Sequence, residues 1–334
     1  MTTEYGSLLD GPDKRTAWGD VSDAEKRALA DAYIADGTRG IARVLRHYEL
    51  NVPVNTVRGN MVRAGVRVKN LTPILTLPAP RMYNFELPFE DAKVLIIGDE
   101  QGIFRDRDLC NRVMEFANNW EPDLLVDLGD SIDNWSISRF ARDPRRHLSL
   151  AAEIEDAKDY FAQLRLATPY AQRLWLHGNH EQRWDNYLIK NAPDLLDLPG
   201  MSLEDQLDLG DAWETYEYGA VVDFRGFSFT HGWYVGDSAA KKTGRVGPRS
   251  IGGSGIQGHD HTDQKYAWVD ARGPHAFFVN PTLMRIDALS PDYITGIVNW
   301  TQGFSYMYFV ENRWTLTTVT ADTSGRFVAE GALY

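Results

Sequence analysis

Three short apolar runs in this chain each end on a glycine and then on a side chain able to bind a metal. Val94-Leu95-Ile96-Ile97 leads into Gly98-Asp99, Leu124-Leu125-Val126-Asp127-Leu128 into Gly129-Asp130, and Arg173-Leu174-Trp175-Leu176 into His177-Gly178-Asn179-His180. A short, continuous apolar run is the pattern of a strand buried on both faces. The stretches near 108–120 and 148–166 read as helices, and another helix is expected after His180. Strand alternating with helix predicts an α/β sheet. Polar residues directly after such strands fall where ligands bind in these sheets. The second half reads mainly as strands: 220–230, 266–270, 276–280 and about three between 304 and 328, with a turn at Asp322-Thr323-Ser324-Gly325.

With 334 residues, 43% of them hydrophobic, the chain can bury one large core, or one large and one small. Cys110 is the sole cysteine, which excludes an intramolecular disulfide and a thiolate metal cluster. No apolar run approaches the roughly 20 residues of a membrane span. Met1 to Lys14 is polar and carries acids, so it does not read as a signal peptide. A cytoplasmic protein with no membrane partner is expected.

The net charge of −12 should repel nucleic acid. One segment breaks the trend: between Arg39 and Lys69 seven cations face a single acid, Glu49. Residues 1–21 read as a flexible arm. Ser22-Asp23-Ala24-Glu25 is a capping-box pattern that opens a helix expected to end at Asp36-Gly37. Thr38 is expected to cap a second helix, and a turn over 49–54 leads to a third from Asn55, closed by Gly65. Residues 22–69 thus resemble a helix-turn-helix module, with Asn55-Thr56-Val57-Arg58 through Arg63-Ala64-Gly65-Val66 similar to a resolvase-type recognition helix. That resemblance implies DNA contacts by Asn55, Thr56, Arg58, Arg63 and Arg67. The other reading is a helical cap whose arginines pair with an acidic neighbour. Residues 70–90, with four prolines, read as a linker packed on the domain that follows, 91–334.

Further motifs complete the pattern: Gly98-Asp99-Glu100-Gln101-Gly102, Gly129-Asp130-Ser131-Ile132-Asp133-Asn134, Gly178-Asn179-His180-Glu181, a lone His231, and Gly258-His259-Asp260-His261. In order and spacing they resemble the calcineurin-like metallophosphoesterase superfamily, and chains of this layout resemble those of bacteriophage genomes. The resemblance implies a four-layer α/β/β/α sandwich, two face-to-face sheets with flanking helices, beside the small all-helical module. It also implies two divalent cations, which hold a phosphate, lower the pKa of a bridging water and neutralise charge. By resemblance Asp99 and His261 bind the first metal, Asp130 bridges both, and Asn179, His231 and His259 complete the second. His180 is carried over as the acid that protonates the leaving oxygen, Asp133 as the group that orients it, and Arg183 as a phosphate contact.

Gln101 departs from the pattern, because most of the superfamily has histidine there. A neutral amide oxygen is a poorer donor than imidazole to zinc, iron or cobalt. Either Gln101 ligates through that oxygen or water fills the position. A weaker first site is expected, with Mn²⁺ or Mg²⁺ preferred over Fe, Zn²⁺ or Ni²⁺. The glycine-rich, basic stretch 243–258 reads as a mobile loop contacting substrate phosphates, or as a plain surface loop. Trp135, Trp184 and Trp233 pack in the core or line a cleft. His177, His47, His147 and His275 read as structural or exposed. Three functions follow: a nuclease, a phosphatase for phosphoprotein or small esters, and a DNA-binding protein with a degraded site. Oligomeric state is open.

Overall fold

The computed structural model describes residues 20–48, 50, 52, 54–63, 80–88, 90–140, 149–196, 198–287 and 298–334. These form two units, Met1–Ala79 and Pro80–Tyr334. The expected arm, apart from Asp20 and Val21, lies outside the described residues, as do 70–79 of the expected linker, Arg67 and His147.

In the first unit two helices replace the expected three among the described residues. α1 runs unbroken from Asp23 to His47, and α2 spans Val54–Arg63. The capping box is present: Ser22 Oγ accepts from Glu25 N, and Ser22 N donates 2.7 Å to Glu25 Oε2. Asp36-Gly37 does not end the helix and Thr38 does not start another. Leu29, Tyr33, Ile41 and Leu45 keep one helical stripe across that point and share a core with Val57 and Met61. Burying a continuous stripe outweighs the cost of a helical glycine, about 1 kcal/mol.

The second unit is built on two six-stranded sheets. Its strands are β1 Arg81–Asn84, β2 Ala92–Ile97, β3 Leu124–Asp127, β4 Gln172–Leu176, β5 Glu214–Tyr216, β6 Ala220–Phe224, β7 Phe227–Thr230, β8 Ser254–Gln257, β9 Gln264–Asp270, β10 Gly273–Val279, β11 Gly303–Val310 and β12 Arg313–Thr320. One sheet has the order β12-β11-β2-β3-β4-β5 and the other β1-β6-β7-β8-β10-β9. In the first sheet β2 to β5 are parallel, and β11 adds antiparallel to β2. Its helices are α3 Arg107–Trp120, α4 Leu150–Ala167, α5 Gln182–Asn191, and the short α6 Leu203–Gln206 and α7 Ala239–Lys241.

The strand runs are apolar throughout because each face has its own core. Val94, Ile96, Leu124, Val126, Leu174 and Leu176 point between the sheets, against Phe224, Phe227, Phe229 and Phe278 of the other sheet. Leu95, Ile97, Leu125 and Trp175 point the opposite way, against Leu109, Val113 and Phe116 of α3 and Phe161 of α4. Beyond the second sheet Ala239 and Ala240 of α7 cover Trp268, Phe277 and Val279. The four layers are therefore helix, sheet, sheet, helix, the expected sandwich. No described helix is long and apolar enough to cross a membrane.

Three local expectations change. The run 220–230 is two strands, folded back at Arg225-Gly226, where both residues have positive φ. Residues 81–84 of the expected linker form β1, paired in parallel with β6, and Phe85 and Leu87 enter the inter-sheet core. The expected mobile loop 243–258 is ordered: Lys242–Val246 continues α7 as a π-turn, and Ser254–Gln257 is β8, interior to its sheet between β7 and β10. Gly255 is what lets β8 sit there, since an added Cβ would run into the backbone of Ser228 and the ring of Phe277.

His177, read as structural, closes β4 onto α6: its Nε2 lies 3.2 Å from Glu204 Oε1. The hydrogen bond from His177 pulls Glu204 down to about 2. Burial opposes charge on His177, but Glu204 and its acidic neighbours outweigh this and raise its pKa. Glu204 thus adds stability above its unfolded value near 4.5 that is lost as pH falls towards about 2. His177 adds stability below 6.5 that fades as pH rises past its raised value. Urea unfolding of wild type and Glu204→Gln should therefore differ most between those limits and converge at either end. A difference independent of pH would contradict the ion pair.

Candidate metal centre

The ligand motifs come together at one end of both sheets. Asp99, Asp130 and Asn179 follow the C-terminal ends of parallel strands β2, β3 and β4, while His231, His259 and His261 follow β7 and β8, parallel neighbours in the other sheet. The loops turn sharply enough that Asp99, Gln101, Asp130, His259 and His261 all hold positive φ, between 55° and 71°. Gly129 has φ 95°, and a Cβ there would meet the backbone of Leu176 and Gly178, so only glycine lets the second and third loops touch.

Two donor groups form around a shared carboxylate: Asp99, Asp130 and His261, and Asp130, His231 and His259, each set within 4.8 Å. His231 Nε2 lies 3.2 Å from Asn179 Oδ1, 3.2 Å from His259 Nδ1 and 3.5 Å from Asp130 Oδ1. Its other nitrogen faces Leu128 O at 2.9 Å, which selects the tautomer with a proton on Nδ1 and leaves Nε2 a lone pair. His261 Nε2 is 3.0 Å from Asp99 Oδ1, yet neither of its ring nitrogens makes a hydrogen bond. Two donors aimed at a common point without bonding each other are suited to a cation between them. Gln101 stands with this set: its Nε2 donates 3.1 Å to Asp130 Oδ2, and its buried Oε1 has no partner.

The electrostatics favour cation binding. Burial would raise the Asp130 pKa, but the surrounding His180, His231 and His259 override it and hold the carboxyl well below the usual range. Burial, reinforced by His231, pushes His259 down to about 4, so it stays neutral with its lone pair available. An all-oxygen-and-nitrogen donor set without sulfur suits hard or borderline divalent ions.

Behind the ligands, Glu181 holds two loops at once. Its Oε2 accepts from Asp130 N at 2.9 Å and Gly178 N at 2.7 Å, and its Oε1 from Ser131 N at 2.8 Å and Ile132 N at 3.1 Å. Asp127 accepts from Gly129 N and from Ser131 Oγ, and Trp175 Nε1 donates 2.9 Å to that same hydroxyl. Thr282 Oγ1 donates 2.6 Å to Asp99 O. In sequence Glu181 is only the last letter of Gly-Asn-His-Glu, and Thr282 carries no motif signal at all.

Beside the ligands, His180 Nδ1 lies 2.5 Å from Asp133 Oδ1, and its Nε2 lies 2.9 Å from Arg183 Nη2. Arg183 Nη1 also donates 2.7 Å to Asp133 O. Burial lowers the His180 pKa, but Asp130 and Asp133 more than compensate, and the net shift is upward.

This arrangement agrees with a family match over more than half of the chain. The calcineurin-like phosphoesterase description covers residues 92–277. The chain belongs to that family. It is a metal-dependent phosphoester hydrolase, and its described residues include two groups that could hold divalent metal. The phosphoesterase is 26% identical over 255 residues to the Gene 54 protein of Mycobacterium phage D29, across 72% of this chain and 98% of that one. It is 24% identical over 266 residues to the Gene 54 protein of Mycobacterium phage L5, with the same coverage. Solved structures of Vacuolar Protein Sorting 29 from Cryptosporidium parvum and of Vps29 from Entamoeba histolytica align at TM-scores of 0.36 and 0.35. Their identities are 14% and 13%, over 74% and 72% of this chain and 96% of each neighbour. Overlap this low adds nothing to the family match.

The expected DNA contacts belong to the first unit. Thr56 and Arg58 are exposed on α2, Asn55 and Arg63 belong to the same helix, and Arg67 is outside the described residues. Trp135 and Trp184 are buried in the core and do not form cleft walls.

Glu181→Gln should weaken Mn²⁺ binding by 10- to 100-fold, because an amide offers one acceptor oxygen where the loops present four N–H groups. Isothermal titration would read this, and unchanged affinity would show that the loops hold themselves.

Proposed function

We propose that this phosphoesterase cleaves phosphodiester bonds of nucleic acid, DNA in the first instance, with two Mn²⁺ ions. The observation that carries the reading is the charge of the cleft leading away from the metal centre. An open cleft of about 690 Å³ begins at Asn179 and Arg183 and is lined by Arg139, Arg183 and Lys190, with no carboxylate among its described lining residues. In a chain of net charge −12 such a lining favours a polyanion.

Asp99, Gln101, Asp130 and His261 would hold one cation, and Asp130, Asn179, His231 and His259 the other. Bound there, the pair supplies an activated water and neutralises developing negative charge. The chain's own groups do the rest. Asp133 fixes the His180 ring through Nδ1 and stabilises its protonated form, so Nε2 can give a proton to the leaving oxygen. Arg183, planar and already beside that nitrogen, is placed to take two phosphate oxygens. Manganese is favoured by Gln101, whose amide oxygen suits a harder ion than imidazole does. The first unit, with Thr56 and Arg58 exposed on α2, is read as a salt-sensitive DNA-targeting module. Arg183 also supports a second reading, hydrolysis of phosphomonoesters.

One set of assays decides. Wild type with Mn²⁺ should cleave labelled DNA and methyl p-nitrophenyl phosphate, and His180→Ala should lose about 10²- to 10⁴-fold on the DNA. Zn²⁺ should support less activity than Mn²⁺, and Arg58→Ala should weaken DNA binding with a shallower salt dependence. Phosphate release from p-nitrophenyl phosphate with no diester cleavage would replace the nuclease by a phosphatase. Failure to bind two Mn²⁺ ions would sink both.

A further inference from the structure

We propose that the cleft beside the metal centre binds an unpaired nucleic-acid strand, with Phe140 and Tyr187 as base-stacking platforms. The inference rests on the nucleic-acid reading above and narrows it to single strands.

The cleft has two walls, and each grows out of a ligand loop. One is Ser136 to Phe140, which follows Gly129–Asn134; the other is α5, which follows Asn179 and His180. On α5 the cleft is lined by Gln182 and Arg183, then Asn186 and Tyr187, then Lys190 and Asn191, pairs that recur one helical turn apart. They make a stripe in which a cation, an amide, an aromatic ring and a second cation succeed one another away from His180. From Arg183 to Lys190 the helix rises about 10 Å, roughly three nucleotides of a stacked strand at about 3.4 Å each. The facing wall repeats the combination, with the Arg139 guanidinium 5.1 Å from the Phe140 ring centre.

Exposure sets these two rings apart. Phe140 is 62% exposed and Tyr187 44%, whereas Trp135, just before the first wall, and Trp184, on α5 but turned to the core, are each 8% exposed. Folding has buried the large aromatics that belong to the core and left two rings open to water in a basic cleft. Cations that follow a backbone and rings that stack on bases are the combination used for single strands. Every base offers a ring face, so the contact is tolerant of sequence. In a duplex those faces are already stacked on one another, and a cleft of about 690 Å³ holds only a few nucleotides. The stripe starts at Arg183, beside His180, so a bound strand leads its phosphate towards the reacting groups.

The test uses the full-length protein with Mn²⁺. Substrates are a labelled oligodeoxythymidylate, a blunt hairpin duplex and methyl p-nitrophenyl phosphate, compared for wild type, Phe140→Ala, Tyr187→Ala, the double variant and Phe140→Trp. The same labelled strands are followed by fluorescence anisotropy. The double variant should lose at least tenfold in kcat/KM and in affinity for the unpaired strand. It should keep wild-type turnover of methyl p-nitrophenyl phosphate, and Phe140→Trp should restore strand binding. Unchanged strand affinity in the double variant overturns the proposal, as does an equal loss on the hairpin. Wild type that binds the unpaired strand through these rings but hydrolyses no diester would refute the nuclease reading and leave the cleft assignment standing. Wild type that hydrolyses the small diester and binds no strand would do the reverse.

Discussion

The carboxylate of Glu181 is the contact on which the metal centre depends. Four backbone N–H groups, from Asp130, Ser131, Ile132 and Gly178, end on its two oxygens. These groups belong to loops after β3 and β4, and both are buried where water cannot satisfy them. Leaving such donors unpaired costs about 1–3 kcal/mol each. A charged acceptor shared among them fixes the spacing of the two loops, and so of Asp130 and Asn179, which those loops carry. Burial raises the Glu181 pKa, so the four N–H groups are also what make an ionised carboxylate tolerable there.

The two sheets contribute unequal kinds of candidate ligand. The parallel strands β2, β3 and β4 deliver the oxygen donors, while β7 and β8 deliver the imidazoles. Their convergence is a product of the inter-sheet core, where Val94, Val126 and Leu174 meet Phe224 and Phe229. Hydrophobic packing between sheets thus sets the distance between oxygen and nitrogen donors, and neither sheet could assemble the centre alone.

Much of this was legible in the chain. Runs buried on both faces read as strands because every position is apolar, and the glycine-plus-ligand signature survives because the loops demand it sterically, as at Gly129. What was missed has physical causes. Gly37 looks like a helix end in isolation, yet the stripe from Leu29 to Leu45 continues across it. β8 is four residues, Ser254-Gly255-Ile256-Gln257, with one large apolar side chain, so no periodicity betrays it. The turn at Arg225-Gly226 is short enough to merge β6 and β7 into one run. Glu181 is visible as a letter in a motif, but its partners are backbone groups, which all residues share and no sequence pattern marks. The cleft is likewise assembled from a turn and a helix that meet only in space, some 40 residues apart along the chain.

Five residues that face the metal centre, Asp99, Gln101, Asp130, His259 and His261, sit in left-handed backbone geometry. Each such residue other than glycine stores strain, of order 1 kcal/mol or more. The fold holds these loops in place against that tendency, with like-charged acids crowded together. A cation that binds only this arrangement adds stability by mass action and relieves the crowding directly. Backbone strain and the crowding of acids thus fall on the same residues that could receive a cation, so the geometry poised to bind the ion is also the geometry that binding would stabilise.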